Sequence, residues 1–192
     1  LEAGVVRHAG EGPTYIAAAL AKRTLTNEFV DLMNRSSLAT EITDDVRSLQ
    51  WGKLAVNAGI NPVTAILRVR NGFLTTHDKA RRVMCAAAEE TAAVARDLGI
   101  ALPYADASRR VIEVAEATAK NQSSMLQDVL RGAPTEIDAI NGAVSSYGRE
   151  VGRPTPVNDE LWRLITAVEP SESGASAADI EAPLRSILDV ME

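Results

Sequence analysis

A mainly α-helical fold with a short β-containing lead is predicted by three features of the sequence. Only 4% of the residues are aromatic while 46% are apolar, so alanine and aliphatic side chains must do most of the packing. That composition favours close helix–helix contact over a β-sandwich. From Thr43 onward, apolar residues recur at helical spacing between recognisable caps and stops. Strand-like patterning is confined to the segment before it.

The elements follow in order. Residues 4–18, "GVVRHAGEGPTYIAA", read as two short strands around the turn "AGEGP", because apolar and β-branched residues flank Gly and Pro. "TNEFVDLMNRS" reads as a short helix capped by Thr26, and "LATEIT" as a brief strand. Asp44 or Asp45 opens a helix that runs through Lys53 to about Asn61, where Pro62 predicts a break or kink. "VTAILRV" resumes the helix until the stop at Asn71–Gly72. A long amphipathic helix covers "HDKARRVMCAAAEETAAVARDLG" to Gly99, and another runs from Ala105 to Lys120. "SSMLQDVLRG" is a short helix that starts at Ser123 or Ser124; "TEIDAINGAVSSYGREVG" follows, capped by Thr135. "VNDELWRLITAVE" starts at Asn158 or Asp159, "PSESGASA" reads as a flexible linker, and "DIEAPLRSILDVME" closes the chain, with Pro183 in its first turns. A β-rich lead this short cannot bury a core alone, so it belongs to something larger or packs against the helices.

Composition narrows the function classes. The net charge is −6 and basic residues cluster only in pairs such as Arg81–Arg82 and Arg109–Arg110, which speaks against nucleic acid as a partner. The single cysteine, Cys85, excludes an internal disulfide and a multi-cysteine metal site. Alanines surround it, so it reads as an inert buried thiol, and no metal is expected. No apolar run approaches the ~20 residues of a membrane span, and no signal peptide stands out; the cytoplasm is the expected compartment. The chain begins at Leu1 inside a strand-like pattern, which reads as a processed or truncated protein.

Most chemical motifs fail. "GEGPTY" starts like a dinucleotide fingerprint, but Tyr15 occupies the third glycine position and Pro13 removes an amide, so it reads as a turn. His8 and His77 lie far apart and read as surface residues. The segment "WGKLAVNAGINPVTAIL" is different. Lys53, Asn57 and Asn61 recur every four residues and so form a polar stripe along one face of an otherwise apolar helix. An ammonium in partly apolar surroundings suits proton donation near neutral pH, and neutral carboxamides one and two turns away can orient a carbonyl or hydroxyl. The competing reading has Lys53 snorkelling to solvent while the asparagines satisfy backbone freed by Pro62. Further along, Ser124 stands near a helix N-terminus, where an anion is favoured. "PTEID" puts Glu136 in the first turn of the next helix. Each has a bland alternative, as an N-cap and as a first-turn acid.

Two long stretches, "WGKLAVNAGINPVTAILRVRNG" and "SSMLQDVLRGAPTEIDAINGAVSSYGREVGRPTPVNDELW", resemble the signatures of the C-terminal domain of ketopantoate reductases (2-dehydropantoate 2-reductases), in the same order and at fitting spacing. The similarity extends from about Gly4 to Val168. It implies a helical domain of the 6-phosphogluconate-dehydrogenase C-terminal type over residues 43–169, preceded in 1–42 by the last part of a Rossmann domain and followed in 170–192 by a linker and terminal helix. It implies NADPH-dependent reduction of the 2-oxo group of ketopantoate, on the route to pantothenate. Lys53 matches the family's proton donor, Asn57, Asn61, Asn71 and Ser124 match its substrate contacts, and Glu136 matches a residue on the cofactor ribose side. The family's glycine-rich fingerprint has no counterpart here, so NADPH would be held mainly by a domain missing from this chain, and the chain alone is expected to be inactive. Two other readings stay open: a reductase of another 2-oxo acid, and a non-catalytic helical module for dimerisation, as a homodimer, or for partner binding, through the final helix and the alanine-rich helix around Cys85.

Overall fold

The computed structural model describes residues 4–5, 12–17, 23–168 and 181–191. They fall into two compact units, Leu1–Arg47 and Ser48–Glu192.

In the first unit, β1 (Thr14–Ala17) pairs in parallel with β2 (Thr40–Thr43), in the register Thr14 to Thr40 through Ala17 to Thr43. Parallel neighbours cannot be joined by a tight hairpin, and α1 (Arg23–Arg35) supplies the crossover. Asn34 at its end clamps β2: its Nδ2 donates to the Thr40 carbonyl and its Oδ1 accepts from the Thr40 amide, both at 2.9 Å. The helix starts three residues before the expected cap, so Thr26 lies inside its first turn and Thr26 capping is corrected. No described residue of α1 is buried, and Leu25, Phe29 and Leu32 make an exposed apolar stripe at i, i+4, i+7. The first of the two expected strands and most of the "AGEGP" turn lie outside the described residues.

The second unit is helical. Its axis is α2 (Val46–Leu67), followed by α3 (Phe73–Thr76), α4 (Asp78–Asp97), α5 (Ala107–Ala117), α6 (Ser124–Arg131), a π-helical turn (Asp138–Gly142), α7 (Ala143–Glu150), α8 (Pro156–Val168) and α9 (Glu181–Asp189). The apolar run in α2 has a simple cause, since the helix is packed on more than one face. Ile60, Val63 and Leu67 join a cluster with residues of α3, α4, α5, α8 and α9. Trp51, Ala58 and Ala65, seven residues apart, join another with α6, the π turn, α7 and α8. Small residues let the helices approach: a Cβ on Gly59 would stand 2.7 Å from the Met84 carbonyl oxygen of α4.

Local signals set the ends. The His77 ring accepts from the Ala80 amide at the start of α4, Asp106 caps α5, and Ser123 caps α6. The helix α2 departs from expectation at both points where the sequence predicted a stop. It continues through Pro62, and it ends with Arg68 in left-handed geometry (φ 53°) rather than at Asn71–Gly72, the Val69 amide bonding back to the Thr64 carbonyl at 3.1 Å. The single helix expected from Thr135 begins instead with the π turn.

The final helix is part of this core. Leu184 and Ile187 are fully buried in the cluster that holds Val83 and Leu161, Lys79 pairs with Glu181, and Ser186 donates to Glu160. Its apolar face is thus covered by its own chain, which removes one of the two surfaces on which a dimerisation module would rest. The "PSESGASA" segment lies outside the described residues. Among the described residues no helix is long and apolar enough to cross a membrane, and no group of side chains could hold a metal ion.

Candidate functional site

Three of the six candidate residues stand on α2 at successive turns, with burial that grows along the helix: Lys53 is exposed, Asn57 half-buried and Asn61 only 7% exposed. Eight residues of helix separate Lys53 from Asn61, a rise of about 12 Å along the axis. The start of the stripe is pinned by Tyr104, whose hydroxyl donates to the Gly52 carbonyl at 2.7 Å; burial pushes that phenol up to about 12. Lys53 has no ion-pair partner among the described residues.

The far end of the stripe meets α6. Thr64, one turn beyond Asn61, donates within its own helix to the Ile60 or Asn61 carbonyl (2.9 and 3.0 Å) and shares a 2.7 Å hydrogen bond with the Ser123 hydroxyl. Ser123 accepts from the Leu126 amide at 3.1 Å. The cap of α6 is therefore tied to α2, and Ser124, the first helical residue, is exposed beside it.

Asn71 belongs to the same neighbourhood. Its amide donates to the Asn121 carbonyl at 3.1 Å, its Nδ2 donates to the Thr118 hydroxyl at 2.9 Å, and the next amide, Gly72, donates to Ala119 at 3.1 Å. Gly72 is required here because a Cβ would come within 2.8 Å of that of Ala119. The side chain of Asn71 is buried, and its Oδ1 has no partner among the described residues, an acceptor free for a donor. Glu136 is exposed, in the bend that leads into the π turn. So α2, the Asn71 loop and the α6 cap come together through backbone and cap contacts. No hydrogen bond joins any two of the six residues directly among the described residues.

Three further residues were not singled out as site residues from sequence. A proline in a helix has no N–H, so Pro62 leaves the Ala58 carbonyl without its usual donor. Asn141 of the π turn supplies one: its Nδ2 donates to that carbonyl at 3.2 Å and to Asn158 Oδ1 at 2.9 Å. Asn158 donates in turn to the Ala87 carbonyl (3.1 Å) and to Glu90 Oε2 (2.7 Å). Glu90 also accepts from the amides of Val157 and Asn158, both at 2.9 Å, and so caps α8 from another helix. Burial holds the Glu90 carboxyl above its ordinary range, against the lowering effect of these bonds. The helix α8 starts at Pro156, two residues before the expected Asn158, so Asn158 lies inside the first turn, where it is fully buried and forms part of this relay. One signal was available: Asn141 interrupts the apolar face marked by Ile137, Ile140 and Val144. The backbone freed by Pro62 is thus served by Asn141, which removes the structural reason offered for Asn57 and Asn61.

Comparison with known proteins agrees with the two motifs. The family model described as ketopantoate reductase PanE/ApbA C terminal matches residues 45–169. A 2-dehydropantoate 2-reductase of Pyrobaculum aerophilum is 39% identical over 160 residues, 83% of this chain and 55% of that protein. One of Archaeoglobus fulgidus is 39% identical over 167 residues, 86% and 56% of the two chains. Among solved structures, a PanE/ApbA family ketopantoate reductase from Ralstonia eutropha superposes with a TM-score of 0.76 at 32% identity, covering 85% of this chain and 53% of that one. A D-mandelate dehydrogenase in ternary complex with NADH and anilino(oxo)acetate gives 0.74 at 28% identity, covering 83% and 67%. The chain spans about half the length of the curated relatives it matches.

Proposed function

Because the chain belongs to the ketopantoate reductase family, whose C-terminal part it matches over residues 45–169, we propose that it is the catalytic and substrate-binding portion of an NADPH-dependent ketopantoate reductase. The reaction takes a 2-oxo acid to a 2-hydroxy acid in pantothenate biosynthesis. One observation carries the reading: Lys53, Asn57 and Asn61 lie at successive turns of one helix whose proline-freed carbonyl is already satisfied by Asn141, so the stripe has no structural duty.

The chemistry follows from the residues. When bound, NADPH supplies the hydride that adds to C2 of the keto acid, and charge then develops on the C2 oxygen. Lys53 at the exposed end of the stripe stabilises that oxygen and gives it a proton. Asn57 and Asn61 orient the substrate with neutral donors and acceptors. Asn71 offers its unpartnered Oδ1 to a donor, and Ser124 meets the substrate at the start of α6. Glu136, an exposed carboxylate, fits a cofactor hydroxyl as an acceptor. It is the one residue assigned to the cofactor among the described residues, so on this reading most of the nucleotide would be held by a further domain, and the 192-residue chain alone would not turn over.

A second reading has a specific support. The similarity to a dehydrogenase bound to NADH and an anilino-substituted oxo acid leaves the acyl group and the nicotinamide cofactor open to variation. The test of both is kinetic. In the reductase-length protein, ketopantoate with NADPH should outpace simpler 2-oxo acids and NADH, and Lys53→Ala should lower kcat by about 10²-fold or more, the scale of general acid catalysis, with the fold intact by circular dichroism. Near-normal turnover by Lys53→Ala removes that residue from the mechanism. NADPH oxidation by the isolated 192-residue chain overturns the division of labour.

A further inference from the structure

Pro62 directly follows Asn61, and the carbonyl it frees, Ala58, directly follows Asn57, so the defect spans the turn that joins the two asparagines. Proline inside a helix ordinarily kinks it, because the lost bond and the ring push the preceding turn away. A kink at this point would turn Asn57 away from Asn61. The helix is nevertheless one element from Val46 to Leu67.

The relay described above meets the freed carbonyl, and its direction is forced. The Glu90 carboxylate and the Ala87 carbonyl only accept hydrogen bonds, so the Asn158 amide must present both N–H groups to them. Its oxygen then faces Asn141, which must present its own NH₂ to that oxygen and to the Ala58 carbonyl. Both asparagines are fully buried, so water does not compete for these groups. The π turn places Asn141 here: the extra residue in that turn, closed by the Gly142 amide on the Ile137 carbonyl at 3.0 Å, sets Asn141 against α2.

We propose that Asn141 is a positioning residue for the substrate. By taking up the Ala58 carbonyl it holds α2 continuous across Pro62 and so keeps Asn57 and Asn61 in one register as a paired carboxamide site. The proposal rests on the reading of those two asparagines as substrate contacts.

The test uses Asn141→Leu, which keeps the volume and removes the donor, and Leu184→Ala as a control for general destabilisation, since Leu184, on α9, is a fully buried apolar side chain with no hydrogen bond in the relay. In the 192-residue chain, Asn141→Leu should speed amide hydrogen exchange about tenfold for Asn57 to Val63 and leave α4 and α5 unchanged. In the reductase-length protein it should raise KM for the keto acid about tenfold while KM for NADPH stays within about twofold. Adding Pro62→Ala, which returns an N–H to the Ala58 carbonyl, should restore both readouts. Leu184→Ala should do neither. Exchange that rises uniformly, a keto-acid KM that stays put, or a failure of Pro62→Ala to rescue overturns the proposal. Absence of keto-acid reduction by the unsubstituted protein sinks the functional reading and the substrate role with it. The exchange pattern separates that failure from a failure of Asn141 to hold α2.

Discussion

Removing the Glu90 carboxylate should unseat α8 and should do so in a graded way. Glu90→Ala strips the acceptor from three donors at once: the amides of Val157 and Asn158 and the Nδ2 of Asn158. Val157 and Asn158 are 2% and 0% exposed, so water cannot easily replace the lost oxygens. Each buried donor left unmet costs about 1–3 kcal/mol. The three together cost about 3–5 kcal/mol once relaxation is allowed for, a large share of the 5–15 kcal/mol that holds a typical domain. Glu90→Gln keeps one oxygen and turns an NH₂ against a donor, so it should cost about 1–2 kcal/mol. The assay is urea denaturation followed by tryptophan fluorescence, which reports the helical unit alone because both tryptophans, Trp51 on α2 and Trp162 on α8, lie in it. An Ala variant within about 1 kcal/mol of wild type would refute the claim that these bonds matter.

The same carboxylate predicts a pH dependence. Burial raises the Glu90 carboxyl above 4.5, so the folded chain binds its proton more tightly than the unfolded chain does. The resulting stability is fully present below the unfolded value and is lost as pH rises through the folded one. Wild type should therefore lose margin over Glu90→Gln as pH rises from 4.5 towards neutrality, and a margin that grows over that range contradicts the burial argument. Leu184→Ala should lower stability by about 2–5 kcal/mol in the same denaturation assay, because the side chain is fully buried against α4 and α8. A loss below about 0.5 kcal/mol would mean that α9 is peripheral to the core. Burial also raises the Cys85 thiol above 9.0, so its reaction with a disulfide reagent should lag behind a small-molecule thiol at pH 8 and accelerate only in stronger base.

Most of the helices were legible because their signals are local. Ser123 caps the helix it precedes, and Gly99 and Gly132 take the left-handed φ of 72° and 64° that ends theirs. The caps His77 and Asp106 are equally local, yet the sequence reads His77 as a surface residue and Asp106 as lying inside a helix begun at Ala105. The stripe of Lys53, Asn57 and Asn61 was legible for the same reason, since four-residue spacing is a property of one helix. What the sequence did not reveal depends on distant partners. Pro62 reads as a break, and a break is what it would cause in an isolated helix. Whether it does so here depends on Asn141, 83 residues from the carbonyl it serves, and on Asn158 and Glu90, 68 residues apart from each other.

This difference bears on the two readings of the polar stripe. A helix interior tolerates an asparagine at little cost when its side chain repairs a backbone defect, and Pro62 supplies such a defect beside Asn57 and Asn61. From the spacing alone the repair reading was the more economical of the two. In the structure, the carboxamide of Asn141 makes the repair, and it is oriented by Asn158, whose own amide is fixed by two acceptor-only groups, the Ala87 carbonyl and the Glu90 carboxylate. Asn61 is then a buried polar side chain with no hydrogen-bonding task among the described residues, and Asn57 a half-buried one, both on the helix that carries an exposed ammonium. Neither of these two carboxamides is among the buried polar atoms left without a partner, whereas Asn71 keeps a buried Oδ1 unmet. On the function proposed above, a substrate with donors and acceptors of its own would meet all three.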